Sequence, residues 1–277
     1  MSHSPIVVIG AGYVGKRLLQ RLDDSKNIEL GRSSSLNLDS DQTLPIRLPD
    51  SYRLLYTVPP SPEHDHDVRL QNLLGMLQRP PERFTYISTT GVYGDHQGGI
   101  VGELSALLAT SDRAKRRLSA ESILRVWAQQ QGVALTILRT PGIYGPARLG
   151  IERIRNGEPL ICESDAHPGN RIHVDDLVSC CIAALRSNAA ADIYNVGDGD
   201  HRSPTLFSKE VARQAGLKMP PEVSREETGK LAAESRIVDT TRMQEQLGVN
   251  PKYANAEDGI RASLVTVSVV TSDSFRR

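Results

Sequence analysis

The stretch that decides the fold is IVVIGAGYVGKR, residues 6–17, where an apolar run leads into three glycines and then into a basic, leucine-rich segment. Gly10, Gly12 and Gly15 have the GxGxxG spacing, between a β-branched strand and an amphipathic helix. Gly10 permits a tight turn, Gly12 lets the backbone approach a pyrophosphate, and Gly15 lets the helix pack on the strand. The N-terminus of that helix offers N–H groups to phosphates. The stretch therefore predicts a dinucleotide-binding turn.

The end of the next predicted strand, 27–30, distinguishes the two nicotinamide dinucleotides. An acidic residue there holds the ribose 2′-hydroxyl of NAD, whereas an arginine accommodates the 2′-phosphate of NADP. Glu29 lies inside the strand, and the strand is followed by Arg32, Ser33 and Ser34. We therefore predict NADP rather than NAD, with Arg32 donating charge-assisted hydrogen bonds and the serines supporting it.

Composition excludes several classes of protein. The 277 residues suffice for one large core, or for a core with a smaller lobe, and the 33 basic residues balance the 33 acidic ones. This balance argues against a nucleic-acid-binding surface, and the sequence shows neither a long apolar run nor a signal-peptide pattern, so we expect a cytoplasmic protein without membrane contact. Three cysteines without paired spacing predict neither a disulfide framework nor a metal site.

Strand-like and helix-like segments alternate along the chain, which predicts the α/β class with a doubly wound parallel sheet. After the first two strands, further strands are predicted near residue 46 and at 53–60, 84–89, 134–139 and 192–197. Helices are predicted at 65–77, 111–131, 206–215 and 241–247. The ending, residues 263–277, has the pattern of an extended apolar piece followed by a polar tail.

The order of these segments suggests two lobes. We predict a Rossmann-type NAD(P)-binding domain over 1–146 and 171–197, because the parallel sheet is complete there. The remaining mixed segments predict a small substrate lobe over 147–170 and 198–265, with a tail over 266–277. Ligands of open α/β sheets bind beyond the carboxyl ends of the strands, so the loops at those ends are the candidate site.

Four strings, GAGYVG, ISTTGVYGD, LRTPGIYGP and NRIHVDDLV, occur in the order and spacing of the extended short-chain dehydrogenase/reductases, and the chain resembles that NAD(P)-dependent sugar epimerase and dehydratase group from about Ile6 to Arg261. The resemblance implies an oxidoreductase or epimerase/dehydratase-like enzyme that transfers hydride to or from a small polar, sugar-type or anionic carbonyl or alcohol substrate. It also implies a homodimer through the helices near 65–77 and 111–131. The residues assigned to the cofactor are Gly10, Gly12, Tyr13, Val14, Gly15, Arg32, Ser33, Ser34, Thr57, Val58, Pro59, Ser88, Arg117 and Pro141.

The chain departs from the family at the usual catalytic pair. The family places a Tyr at the start of the long helix and a Lys four residues later, and here those positions hold Arg113 and Arg117. Arginine is not deprotonated in proteins, so Arg113 cannot move a proton, although Arg117 can donate hydrogen bonds to a nicotinamide ribose. Ser111 with Lys115 has the same spacing two residues earlier, but a serine at a helix start is typically an N-cap.

Hydroxyl groups at the strand ends are the other candidates for catalysis. Thr89 matches the family position that polarises the substrate oxygen, and Tyr93 and Tyr144 bring phenols to strand ends as candidate proton donors. Each hydroxyl has a structural alternative, because strand-end threonines bond to local backbone and tyrosines often pack their rings. Loss of the family pair also leaves open a non-catalytic NADP-binding redox sensor or scaffold.

Two further segments carry predictions, one about a helix start and one about the substrate. In NRIHVDDL we predict Asp175 or Asp176 as the N-cap of the next helix. Gly142 stands where nucleotide-sugar epimerases carry Asn, which weakens a nucleotide-sugar substrate. Arg148, Arg153 and Arg155 are candidates to pair with a phosphate or carboxylate, with a solvated helix face as the alternative.

Overall fold

A computed structural model describes residues 4–187, 193–228 and 234–273, except for the side chains of Ser33 and residues 266–273. The strands are β1 (Ile6–Ile9), β2 (Ile28–Leu30), β3 (Arg53–Tyr56), β4 (Arg83–Thr89), β5 (Ile100–Val101), β6 (Ala134–Thr140), β7 (Gly142–Tyr144), β8 (Leu160–Ile161), β9 (Arg171–His173), β10 (Ile193–Asn195), β11 (Glu222–Val223) and β12 (Ile237–Val238). The helices are α1 (Tyr13–Leu22), α2 (Val68–Met76), α3 (Asp112–Gln131), α4 (Ile151–Arg155), α5 (Val174–Arg186), α6 (Pro204–Gln214), α7 (Thr241–Glu245) and α8 (Ala256–Asp273).

Six of these strands form one parallel sheet, in the order β10-β6-β4-β3-β1-β2. Strand β1 has neighbours on both sides, because Ile9 lies opposite Leu30 of β2 and Tyr56 of β3. The chain therefore proceeds to one side of β1 and then to the other, which opens a crevice at the carboxyl ends of these strands. The predicted doubly wound α/β fold is confirmed.

Helices cover both faces of the sheet. Val7 and Ile9 of β1 contribute to the core beneath α2 and α3, whereas Val8 contributes to the opposite core beneath α1 and α5. Strands buried on both faces are continuous apolar runs, which explains why IVVI shows no polar alternation. The packing of α1 on the sheet fixes the glycine-rich turn that precedes the helix.

The C-terminal segments form a smaller apolar cluster beside the sheet. It joins α4, α6 and α8 to the end of β7, through buried residues that include Tyr144, Phe207 and Ile260. Short parallel pairs, β5 with β12 and β7 with β9, connect these segments to the loops at the carboxyl end of the sheet. No helix among the described residues is long and apolar enough to cross a membrane.

Three local predictions are wrong. The expected strand near residue 46 does not form, because Pro45 and Pro49 bracket three residues and cannot donate to a ladder. Residues 263–273 continue α8 rather than an extended piece, since the packing of the first part of that helix outweighs the β-propensity of its valines. The N-cap of α5 is His173, whose Nδ1 accepts from the Asp175 amide at 3.2 Å, in place of either aspartate.

Candidate functional site

The glycine-rich turn has the geometry that its sequence predicts. Gly10 has φ +92°, and a Cβ there would lie 2.6 Å from Val58 Cγ2 and 2.8 Å from Thr57 Oγ1. The Gly10 amide donates to the Leu30 carbonyl at 2.8 Å, which ties the turn to β2. Only glycine combines this backbone conformation with such a close approach to the loop after β3.

Gly15 and Gly12 differ in why glycine is needed at each position. A Cβ on Gly15 would lie 2.9 Å from both the Gly10 carbonyl oxygen and Val8 Cγ1, so Gly15 serves helix-on-strand packing. A Cβ on Gly12 would meet no protein atom within 4 Å. Protein packing therefore does not require glycine at this position, and the open space above Gly12 fits a ligand that approaches the backbone.

The N-terminus of α1 has no side-chain cap. Its N-cap residue is Gly12, and its first turn carries no acidic residue. By contrast, Asp67 caps α2 through a bond from the Leu70 amide at 3.0 Å, and Ser111 caps α3. The first N–H groups of α1 therefore remain directed at the open space beside Gly12, which suits an anion.

A cavity of about 670 Å³ extends from this turn along the carboxyl ends of the strands. Among the described residues that line it are five arginines and a single acid. These residues are Arg32, Arg69, Arg113, Arg117, Arg148 and Asp39. The cavity therefore carries an excess of positive charge in a chain whose formal net charge is zero.

One side of the cavity holds three charged residues, which we call the Asp39 cluster: Asp39, Arg69 and Arg32. Arg69 donates to Asp39 through Nε to Oδ1 at 2.6 Å and Nη2 to Oδ2 at 2.9 Å, while Arg32 Nη2 reaches Oδ2 at 3.3 Å. The hydrogen bonds from Arg69 lower the pKa of Asp39 below its ordinary value. Asp39 therefore stays ionised at neutral pH and takes up part of the charge of both arginines.

Arg117 lies at the position of the family lysine. Its side chain is buried, and Nη1 donates to the Tyr86 hydroxyl at 3.0 Å and to the Ile87 carbonyl at 2.8 Å. Burial raises the pKa of Tyr86 to about 12, although the Arg117 charge opposes the shift. Arg113, one turn earlier on α3, is exposed and also lines the cavity.

Two predicted catalytic hydroxyls bond to nearby backbone. Thr89 Oγ1 accepts from the Gly91 amide at 3.1 Å and caps the short 3₁₀ turn at Thr90–Tyr93. Ser111 Oγ accepts from the Ala114 amide at 3.4 Å and caps α3. Neither residue is among those that line the cavity.

Tyr93 belongs to a buried hydrogen-bond network. Its hydroxyl donates to Asn195 Oδ1 at 2.6 Å and accepts from Arg139 Nη1 at 3.0 Å. Arg139 also forms an ion pair with Glu121 at 2.8 Å, each side chain only 2% exposed, and the Ser88 hydroxyl donates to Glu121 Oε1 at 2.5 Å. Tyr93 and the predicted cofactor residue Ser88 thus bind other parts of the protein instead of lining the cavity.

Tyr144 lies in the apolar cluster of the C-terminal segments. Its ring packs edge-on against His173 and Phe207, with centroids 5.2 and 5.3 Å away, and its hydroxyl lies against Gly259. Burial raises the pKa of this phenol far above its ordinary value. The structure therefore places Tyr144 in the interior of this apolar cluster, and its catalytic role stays a prediction.

Most of the predicted cofactor residues line the cavity. They are Gly10, Gly12, Tyr13, Val14, Arg32, Thr57, Val58, Pro59 and Arg117. Gly15, Ser34, Ser88 and Pro141 are not among the lining residues, and the Ser34 hydroxyl accepts from the Gly31 amide at 2.7 Å. The side chain of Ser33 lies outside the described residues.

Sequence reasoning missed the lining residues Asn37, Asp39 and Arg69. Asp39 and Arg69 lie 30 residues apart, and their pairing depends on how α2 packs beside the loop after β2. A search for local sequence motifs therefore could not identify this pair.

The turn that follows β7 packs over the start of α1. The Tyr13 hydroxyl donates to the Pro146 carbonyl at 2.9 Å, and the Arg148 guanidinium lies 4.1 Å from the centroid of the Tyr13 ring. A second cation, Arg17, lies 5.4 Å from the same ring and pairs with Asp175 at 3.2 Å. The turn thus extends the positive charge of the cavity to the glycine-rich turn.

The parallel sheet, its switch point at β1 and the cavity at its carboxyl edge define the Rossmann-type class of α/β proteins. The model of the NAD dependent epimerase/dehydratase family matches residues 63–197. Among curated proteins, the chain is similar to protein YeeZ of Escherichia coli K12, with 27% identity over 172 residues. That match covers 62% of this chain and 58% of YeeZ, so the chain spans less than two thirds of that relative.

Two solved structures share nearly the whole fold. RMD from Pseudomonas aeruginosa complexed with NADPH has a TM-score of 0.75 at 20% identity, covering 96% of this chain and 98% of that one. dTDP-glucose 4,6-dehydratase from Bacillus anthracis in complex with NAD has a TM-score of 0.75 at 14% identity, covering 98% of each chain. At these identities the likeness defines the fold. Together with the family match, it confirms the resemblance to extended short-chain dehydrogenase/reductases.

Proposed function

We propose that this chain is an NADP-dependent, epimerase/dehydratase-like oxidoreductase that acts on a small anionic carbonyl or alcohol substrate. The observation that carries the proposal is the cavity beside Gly12, where five arginines face a single carboxylate. This excess of positive charge suits a dinucleotide with a pyrophosphate and a 2′-phosphate better than a neutral ligand. RMD and the Bacillus anthracis dehydratase are in complex with NADPH and NAD, respectively, so the preference for NADP rests on this chain's own residues.

The residues present fit such a dinucleotide. Open space at Gly12 and the uncapped start of α1 would receive the pyrophosphate. The backbone of Thr57, Val58 and Pro59 would line the adenosine, and Arg32 would bind the 2′-phosphate. Arg117 would donate to the nicotinamide ribose from its fixed position against Tyr86 and Ile87.

The reaction proposed is hydride transfer, for which a bound nicotinamide supplies or takes up the hydride. Arg113 would hold the anionic substrate, because it lines the cavity and does not lose its charge. Thr89 would orient the substrate oxygen by donating its own O–H, because its Oγ1 only accepts in the bond from the Gly91 amide. Since none of Tyr93, Tyr144 and Ser111 is among the described residues that line the cavity, water is the proton donor that this arrangement favours.

A second candidate is a non-catalytic NADP-binding sensor or scaffold. One observation favours it: none of Thr89, Tyr93, Tyr144 and Ser111 is among the cavity-lining residues. Such a protein would bind the dinucleotide and change its interactions with a partner without turnover.

Titration of the protein with NADPH and NADH, followed by nicotinamide fluorescence, tests the cofactor. We expect tighter binding of NADPH, and we expect this advantage to shrink by about tenfold in Arg32→Ala because a charge-assisted phosphate contact is lost. Arg47→Ala removes an exposed loop arginine that does not line the cavity, and it should leave both affinities unchanged. Absence of binding by either nucleotide at millimolar concentration would refute the proposal.

Turnover then separates the two candidates. NADPH oxidation would be followed with a panel of small 2-oxo acids, phosphorylated carbonyl compounds and neutral aldehydes. Oxidation with the anionic compounds alone supports the enzyme and its proposed substrate class. Binding of NADPH without oxidation by any member of the panel favours the sensor.

We also propose a homodimer through α2 and α3. Val126 on α3 is 56% exposed, which is consistent with a helix face that packs against a second copy. Light scattering of wild type and Val126→Glu tests this arrangement, with a monomeric wild type refuting it.

A further inference from the structure

The Asp39 cluster joins three segments of the chain at one side of the cavity. Arg32 follows β2, Asp39 lies in the loop beyond it, and Arg69 is in the first turn of α2. Both oxygens of the Asp39 carboxylate accept from Arg69, at 2.6 and 2.9 Å, and one of them also accepts from Arg32 at 3.3 Å. The carboxylate is therefore held between two guanidinium groups that line the same cavity.

The two arginines differ in how firmly they are held. The Arg69 side chain is 15% exposed, and its Nη1 donates to the Pro59 carbonyl at 3.1 Å, whereas the Arg32 side chain is 77% exposed. The Asp39 side chain is 38% exposed and remains accessible from the cavity side. Arg69 thus presents a preoriented guanidinium fork, and Arg32 adds a movable cation beside it.

Charge and geometry together indicate what the cluster recognises. Two guanidinium groups and one carboxylate leave one net positive charge. The single carboxylate of Asp39 accepts from two nitrogens of Arg69 but from only one nitrogen of Arg32. A phosphate monoester offers three oxygens and up to two negative charges, so it bridges two guanidinium groups better than a carboxylate does. An anion that binds the same guanidinium nitrogens competes with Asp39 for them.

We propose that Arg69 is a second ligand of the cofactor's 2′-phosphate and that Asp39 competes with that phosphate for both guanidinium groups. This inference rests on the NADP binding proposed above. It makes Asp39 a determinant of cofactor preference, because its charge weakens the attraction for the phosphate. The same carboxylate can accept a hydrogen bond from the ribose 2′-hydroxyl of NAD, which narrows the gap between the two cofactors.

The test is the ratio of NADPH to NADH affinity in wild type, Arg69→Gln, Arg69→Lys and Asp39→Asn, measured by fluorescence titration. We expect Arg69→Gln to weaken NADPH binding about tenfold and to change NADH binding less than about threefold, because only NADPH carries the 2′-phosphate. Arg69→Lys should fall between wild type and Arg69→Gln, since a point charge replaces the fork. Asp39→Asn should tighten NADPH binding about threefold or more and leave NADH unchanged or weaker.

Arg47→Gln is the matched control, because it removes the same charge from an exposed arginine that pairs with Asp50 at 3.4 Å outside this cavity. Competition by adenosine 2′-monophosphate against adenosine 5′-monophosphate isolates the contact. Arg69→Gln should weaken only the 2′ compound. Thermal unfolding checks that each variant is folded, and Arg69→Lys remains informative if Arg69→Gln is not.

Two results would overturn the inference. In one, Arg69→Gln weakens NADPH and NADH equally or weakens neither, which assigns Arg69 to the architecture of the loop. In the other, Asp39→Asn weakens NADPH binding, which makes Asp39 a support for the arginines. Both results require a wild type that binds NADPH, so they are distinct from failure of the proposed function, in which the wild type binds neither dinucleotide.

Discussion

The glycine-rich turn and the corner formed by the end of β4 with the start of α3 both lie at the carboxyl edge of the sheet, yet they treat their polar groups in opposite ways. The start of α1 has no side-chain cap, and Gly12 opens onto free space. At the corner, Thr89 and Ser111 cap backbone turns, and Tyr93 bonds to Asn195 and Arg139. Open N–H donors indicate a place kept for a ligand, whereas side chains already bonded to the protein indicate groups that serve the fold.

The largest effect is expected when a side chain fills the open space at Gly12 of the glycine-rich turn. Gly12→Val places a side chain where no protein atom lies within 4 Å, in the path of the dinucleotide backbone. We expect NADPH affinity to fall by about 100-fold or more, or about 2.7 kcal/mol, while the thermal midpoint stays within about 4 °C. Fluorescence titration and calorimetry measure the two quantities.

Gly75→Val on α2 is the control. A Cβ on Gly75 also meets no protein atom within 4 Å, but Gly75 is not among the residues that line the cavity. Gly75→Val should retain NADPH binding. Retained affinity in Gly12→Val would mean that the open space is not the ligand path.

Asp198 is a polar group that is left open but buried. Its carboxylate oxygen Oδ2 has no hydrogen-bond partner among the described residues. Burial raises its pKa from 3.8 to about 7. Between these values this carboxyl is ionised in the unfolded chain but keeps its proton in the native protein. Its contribution to stability is therefore greatest below about pH 4, decreases as the pH rises to about 7, and is constant above that.

Asp198→Asn should remove this dependence and raise the free energy of unfolding at pH 8 by on the order of 2 kcal/mol. Urea unfolding of both proteins at pH 5 and pH 8 provides the measurement. Asp95→Asn is the control, because Asp95 is exposed and its carboxylate has a lowered pKa in the native protein. The contribution of Asp95 to stability therefore has the opposite pH dependence to that of Asp198, and losing it should have a small effect between pH 5 and pH 8. An unchanged pH profile in Asp198→Asn would contradict the assignment.

Loss of the Tyr93 hydroxyl tests whether the corner is structural. Tyr93→Phe removes one donor to Asn195 and one acceptor for Arg139. We expect the free energy of unfolding to fall by about 1–2 kcal/mol, because buried polar partners lose their bonds, with NADPH affinity changed less than twofold. Unchanged stability together with a large loss of turnover would instead make Tyr93 a proton donor.

The smallest expected effect is at the turn that closes over α1. Tyr13→Phe removes the bond to the Pro146 carbonyl but keeps the ring beneath Arg148. We expect NADPH affinity to fall about two- to tenfold, or about 0.5–1.5 kcal/mol, because the turn is held less firmly. Tyr52→Phe removes a comparable hydroxyl bond, to the Arg79 carbonyl at 2.6 Å. Neither residue is among those that line the cavity, so this variant should leave affinity unchanged.

Local sequence patterns were sufficient to predict the glycine-rich turn, the strands around it and the class of the fold. Each of these features depends on residues close together in the chain, such as Gly10 with its positive φ and the apolar run before it. Most of the residues assigned to the cofactor line the cavity for the same reason.

Tertiary structure decided which polar groups remain open. Asp39 meets Arg69 only because α2 packs beside the loop after β2, and Tyr93 meets Arg139 only because β6 lies beside β4. Tyr144 lies among His173 and Phe207 because the C-terminal helices cover it. Such contacts join residues tens of positions apart, so side-chain type and local spacing could not distinguish a hydroxyl that faces a ligand from one that completes the fold.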